Sequence, residues 1–196
     1  VEEDWHPQGL PVVPAGSLVS VDPAAPDQSV EVIFTPGPSQ SIDEVGVTKN
    51  TVLVSLFDNV RGRAMRFTEM QRGRPWDGDA LDLPDMTSIH IVDTDHASDT
   101  AYLSVEGYLE PQQLWMVEKD AAPRKIKSAP ARFKTANLKT EQFWAQSPDG
   151  TRVPYFVVHR RNMKLDGQNP TVLTAYGGFQ VSYTPTYAPE IGKLWL

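Results

Sequence analysis

The sequence predicts a mainly β protein, a partial β-propeller of about two and a half blades followed by the first strands of a second domain. Three observations predict it. Among 196 residues, 17 prolines and 13 glycines are scattered between short apolar runs. Each proline removes a backbone donor and restricts the residue before it, which argues against long helices. The apolar runs have strand length and are bounded by turn formers. They also fall into groups of about four strands in about forty-five residues, the size of a propeller blade.

Strands are expected first over residues 17–21 and 29–34, separated by a turn-forming insert at 22–27 that holds Pro23 and Pro26. These supply only the last strands of a preceding blade. A second group comprises 44–47, 51–57, 63–68 and a weaker stretch at 80–83. The clearest quartet follows: 88–92, 100–105, 113–118 and 124–127, with a polar turn at 93–99. Propellers normally close with about four to eight blades, so an open one exposes apolar faces and unpaired edges. The chain is therefore expected to be an internal piece of a longer polypeptide, poorly stable and prone to aggregate alone. A β-sandwich would show similar spacing, and periodicity does not separate the two.

The pattern changes after Pro130. Residues 142–147 alternate apolar and polar, Ser147 to Thr151 form a tight-turn sequence, and 152–159 resume as a strand. This is a hairpin, with Gly150 free to adopt positive φ. A polar loop over 164–170 leads into a short apolar run at 171–175, expected as a buried strand. That run ends in Tyr176, Gly177, Gly178 and Phe179, where two glycines let the backbone turn sharply. The domain division is drawn at 1–132 and 133–196.

Net charge is -7 and the isoelectric point about 5.0. Nucleic-acid binding needs a concentrated basic face, which this total disfavours. The one basic stretch, Arg124, Lys125, Lys127, Arg132, Lys134 and Lys139, reads as a solvated connector. There is no cysteine, hence no disulfide or thiolate chemistry. No apolar run is long enough to span a bilayer, and the acidic start lacks a signal peptide's basic and apolar regions. A soluble protein of the cytoplasm or the periplasm fits. The missing initiator Met and the apolar end at Leu194, Trp195 and Leu196 read as cuts through a longer chain.

Candidate chemistry is sparse. A Gly-x-Ser-x-Gly nucleophile elbow is absent, and the nearest lookalikes, at Ser17 and Ser39, lack the second glycine. None of His6, His90, His96 and His159 sits in a recognisable catalytic context. Asp77, Asp79, Asp82 and Asp85 do not follow calcium-loop spacing. Asp93, Asp95, His96 and Asp99 fall in a hairpin tip, where such side chains bond the backbone. No metal and no cofactor is expected from either cluster.

Five blocks, in order, carry a resemblance: Glu141 to Phe143; Ser147 to His159; Lys164 to Pro170; Tyr176 to Phe179; and Thr184 to Tyr187. Together they resemble the junction between propeller and peptidase domain in the prolyl oligopeptidase family of serine peptidases. Residues 56–63 and 107–111 are similar to propeller segments of its bacterial members. The resemblance implies a propeller gating an α/β-hydrolase domain, so that 133–196 would be the N-terminal part of that domain. It implies hydrolysis of short peptides after proline, with proline-containing peptides and the remainder of the parent polypeptide as partners. It places Tyr176 as an oxyanion donor, with Gly177 and Gly178 in the substrate-binding turn and Phe179 in a subsite wall. The family's serine, aspartate and histidine lie beyond this turn, so the isolated chain is expected to be inactive. Thr174 and Ala175 depart from the Tyr-Gly that commonly precedes the motif tyrosine. A non-catalytic β-rich binding module, in which the Tyr176 turn is merely structural, is the alternative.

Overall fold

The computed structural model describes residues 1–69, 75–164, 166–179 and 181–196. Two four-stranded antiparallel sheets form its body. The first runs β3 (Gln40–Val47), β4 (Thr51–Asp58), β5 (Arg61–Thr68) and β6 (Asp77–Ala80), neighbours in space as in sequence. The second, β7 (Thr87–Thr94), β8 (Thr100–Gly107), β9 (Gln113–Glu118) and β10 (Arg124–Ser128), repeats that meander. Ahead of them, β1 (Leu18–Ser20) and β2 (Glu31–Phe34) form a two-stranded ladder. After them, β11 (Leu138–Gln146) and β12 (Arg152–Arg160) form a separate hairpin, and a short helix, α1 (Pro189–Leu194), closes the chain. Two full sheets and a half-sheet match the expected two and a half blades.

Why the sheets stack is written in β4. Its first six residues are all buried, so both faces are covered. Period-two alternation divides them between two cores. Leu53 faces the second sheet, joining Ala64, Leu81, Ile89, Ala101, Leu103, Val105 and Val117. Val52, Val54 and Leu56 face the other way, with Phe67, and draw in Leu18, Ile33 and Phe34 from the β1–β2 ladder. Strand β8 reads the same rule from one side, burying Ala101, Leu103 and Val105 in strict alternation. Close approach requires Gly62: a Cβ there would lie 2.7 Å from the Thr87 carbonyl and 2.8 Å from the Ile89 nitrogen, backbone atoms that cannot swing aside.

The sheets are also tied at their turns. Asp99 accepts hydrogen bonds from Thr48 Oγ1 (3.0 Å), the Asn50 N–H (2.7 Å) and Asn50 Nδ2 (2.7 Å), and the Lys49 N–H donates to the Ser98 carbonyl (3.0 Å). Asp95 spends its carboxylate within its own turn, on the Ala97 N–H and Ser98 Oγ. In the other acidic stretch, Asp79 is gripped by both arms of Arg66, and Asp85 pairs with Arg63 at 2.8 Å and Arg61 at 3.6 Å. Arg66 also reaches the Glu118 and Ala121 carbonyls of the second sheet. These aspartates are committed to protein donors.

Partial burial pushes the Asp99 carboxyl upward, but the Asn50 and Thr48 donors outweigh it and leave the group below the ordinary 3.8. A carboxyl depressed in the folded state contributes stability that is complete above its unfolded pKa and lost as pH falls through the folded one. Asp99→Asn should therefore be less stable than the parent at pH 7. Its deficit should shrink as urea midpoints are followed from pH 4 to pH 2.

Two expectations need correction. The weak strand expected at 80–83 lies at Asp77–Ala80, because Arg66 fixes Asp79 opposite itself and the ladder ends at Ala80 opposite Met65. Leu81 still drops into the core, its N–H reaching the Ala64 carbonyl. The run at 171–175, expected as a buried strand, joins no sheet among the described residues, and Leu173 is 88% exposed. A strand buried on both faces needs paired neighbours, and the hairpin that precedes it, β11–β12, pairs only with itself. No described helix is long and apolar enough to cross a membrane.

Candidate functional site

The second part of the chain is built on the β11–β12 hairpin, whose nine rungs run without a bulge from Leu138–Arg160 to Gln146–Arg152. Its turn obeys the sequence: Gly150 takes φ +89°, its N–H reaches the Ser147 carbonyl, and Asp149 accepts the Thr151 N–H. The hairpin leans on the propeller sheets through Gln142, whose Nε2 donates to the Asn59 carbonyl at 2.6 Å, and through Phe156 packed on Tyr108.

The hairpin register brings together a group that sequence reading missed. His159 is 4% exposed; its Nδ1 lies 2.9 Å from the Arg160 carbonyl and its Nε2 2.6 Å from Glu141 Oε2. Lys139, directly across the ladder from His159, holds the same Glu141 oxygen at 2.8 Å. Hydrogen bonds from Lys139 and then His159 keep the Glu141 carboxyl below its usual range. Counting outward from the Ser147–Thr151 turn places Lys139 opposite His159, so the signal was present in the sequence. Both ring nitrogens of His159 are engaged, which leaves neither to take a proton from a nucleophile. This triplet is a brace for the hairpin.

Beyond the hairpin, residues 166–175 run without regular structure, and Leu165 of the expected loop lies outside the described residues. The Tyr176 turn then forms. The Gly178 carbonyl accepts the Val181 N–H at 3.1 Å, and Phe179 sits at φ +53°, a left-handed backbone uncommon for a bulky residue. The phenol of Tyr176 folds back over the turn: a Cβ on Gly178 would lie 3.0 Å from its hydroxyl and 3.2 Å from Cζ. Glycine at 178 is what permits that fold-back. Tyr183 covers the ring from one side, with centroids 6.3 Å apart.

The structure thus brings Tyr176 and Gly178 together, with Gly177 between them open on its α-carbon side. Phe179, at 93% exposed, projects into solvent and forms no subsite wall with the described residues. Among those residues no histidine hydrogen-bonds a serine hydroxyl. The segment after the turn is anchored firmly. Pro185 is fully buried and its carbonyl accepts Ser88 Oγ of β7 at 2.7 Å. Tyr187 stacks on Phe133 (5.2 Å, 9°), and its hydroxyl accepts the Arg132 N–H. The segment that follows the Tyr176 turn is therefore held to the second propeller sheet at Ser88 and to Phe133.

Comparison with known proteins supplies the context for this arrangement. No family model matches the chain. It is 39% identical to an uncharacterized peptidase of Sinorhizobium fredii over 204 aligned positions, covering 100% of this chain and 28% of that protein. An uncharacterized peptidase of Rickettsia prowazekii is 31% identical over 94% of the chain and 26% of its own length. The solved structure of a post-proline cleaving enzyme from Rickettsia typhi superposes on 100% of the chain and 29% of its own, with a TM-score of 0.81 at 28% identity. The chain spans little more than a quarter of the length of these relatives. In sequence and in backbone, the chain is similar to one portion of larger peptidases, a post-proline cleaving enzyme among them.

Proposed function

We propose that this chain is the gate-and-junction portion of a serine oligopeptidase that hydrolyses short peptides after proline. In this reading residues 1–132 belong to a propeller that limits access, and 133–196 open an α/β-hydrolase domain. Tyr176 donates its hydroxyl to the oxyanion of the tetrahedral intermediate, and Gly177 and Gly178 leave room for the substrate backbone beside it. Phe179 contributes to a substrate subsite once further chain covers it. The serine, aspartate and histidine of the triad are supplied from outside these 196 residues, so the isolated chain is inactive.

The observation that carries this reading is the Tyr176 turn itself. A half-exposed phenol is laid over a glycine, and no hydrogen bond joins its hydroxyl to another described residue. That donor is free for a developing negative charge, on a segment anchored to a propeller sheet. Cleavage after proline is supported by the Rickettsia typhi enzyme, whose backbone the chain follows over its whole length.

The test is direct. The gene segment downstream of Leu196 is expressed together with this chain and assayed on chromogenic peptides carrying proline, alanine or arginine before the scissile bond. Proline-selective release, abolished by a serine-directed phosphonylating reagent, is the expected result, with none from residues 1–196 alone. Release that ignores proline would remove the specificity claim. No release from any peptide would leave a β-rich binding module.

A further inference from the structure

Strands β3 and β7 open their respective sheets, and where the sheets meet β7 lies across β3, β4 and β5. At this seam β3 breaks register. Ile42 pairs with Leu56 and Glu44 with Ser55, leaving Asp43 as an extra, bulged residue. In a regular strand successive side chains point to opposite faces; a bulge re-aims them. Here Asp43 and Glu44 both reach the same imidazole. Nδ1 of His90, on β7, lies 3.4 Å from Asp43 Oδ2 and 3.5 Å from Glu44 Oε1.

Those distances are informative. A charge-assisted N–H···O bond closes to about 2.7–2.9 Å, and the His159–Glu141 contact does so at 2.6 Å. His90 instead stands off from both carboxylates by nearly the same amount. Ligands about 2.0–2.1 Å from a tetrahedral cation are separated from each other by roughly 3.3–3.4 Å. The two observed separations match edges of such a tetrahedron and overshoot a hydrogen bond.

The ligands are also oriented from outside the group. Glu44 Oε2 accepts the Ile91 N–H of β7, and the Glu44 N–H donates to Ser55 Oγ, which leaves Oε1 turned toward His90. Outer partners that aim a carboxylate in this way are a recurrent feature of metal centres. Charge is unbalanced as well. Among the described residues no lysine or arginine pairs with Asp43 or Glu44.

We propose that Asp43, Glu44 and His90 bind one divalent transition-metal ion of the zinc type, which staples β3 to β7 where the two four-stranded sheets meet. Two carboxylates and one imidazole make a donor set suited to zinc, with a fourth position left for water. Calcium, which takes six to eight oxygens, finds too few here. The ion acts on the propeller seam, and the proposal stands whether or not the peptidase reading does.

The experiment uses residues 1–196 stripped with a chelator and titrated calorimetrically with zinc, with cobalt as a spectroscopic stand-in. One saturable site is expected, with the intense visible absorption of four-coordinate cobalt and a zinc-dependent rise in the thermal midpoint. His90→Ala and Asp43→Asn should each weaken binding at least about tenfold and lose the midpoint rise. His96→Ala, altered on an exposed turn, should bind as the parent does. Glu44→Gln replaces either variant that fails to fold, judged by circular dichroism. Absence of saturable binding, or equal affinity in the parent and His90→Ala, overturns the proposal.

Discussion

Replacing Tyr176 by phenylalanine, in a polypeptide that carries this chain together with its catalytic serine, is expected to lower kcat by about 10²–10³-fold. KM should stay within about threefold, because a donor that meets only the developing oxyanion stabilises the transition state and not the bound substrate. The substitution is clean in this geometry. The ring keeps its contact with Tyr183 and its place over Gly178, and only the hydroxyl is removed. Steady-state kinetics on a proline-containing peptide, with circular dichroism to confirm folding, measures it. An unchanged kcat would reduce Tyr176 to a packing residue. Gly178→Ala approaches the same donor from the other side, since its Cβ would crowd the phenol at 3.0 Å and push it off the turn.

How much of this was legible in the sequence varies with the range of the interactions involved. Strands whose pattern is complete within themselves were readable: β8 alternates buried and partly exposed residues along its whole length. The hairpin was readable because the turn from Ser147 to Thr151 states its own geometry in Asp149 and Gly150. β6 was misplaced by a few residues because its position depends on Arg66 in another strand, and no local feature of its own residues announces that partner. The run at 171–175 was misread for the opposite reason. Its residues have the composition of a buried strand, but burial is a property of neighbours, and here Leu173 meets solvent.

The candidate site divides in the same way. Tyr176, Gly177, Gly178 and Phe179 were picked out by a local motif, and the structure unites Tyr176 with Gly178 while leaving Phe179 outside. Ser88, Phe133, Pro185 and Tyr187, which hold the turn's flank, were not picked out as a group, since their meeting depends on the second sheet being folded. The seam formed by Asp43, Glu44 and His90 was less visible still. A bulge shifts side-chain direction by one residue without any marker in composition, and His90 lies in the next sheet.

Leu103→Ala is the largest stability effect expected, a loss of about 2–5 kcal/mol, read from the urea midpoint by tryptophan fluorescence. Leu103 is 0% exposed and lies on β8 between Ile91 and Trp115 in the ladder, facing the core shared with Leu53, Ala64 and Leu81 of the other sheet. Truncating it removes apolar contact from both sheets at once. The lining cannot close the void, because the stack is pinned by Gly62 against the β7 backbone and by the Asp99 turn clamp. Ile126→Ala serves as the contrast: on the exposed edge strand β10, at 40% exposed, it should change stability by no more than about 0.5 kcal/mol. A Leu103→Ala loss below about 1 kcal/mol would mean that the core relaxes freely. The two sheets would then be joined chiefly by their turns, with the face-to-face packing between them contributing little to holding the blades together.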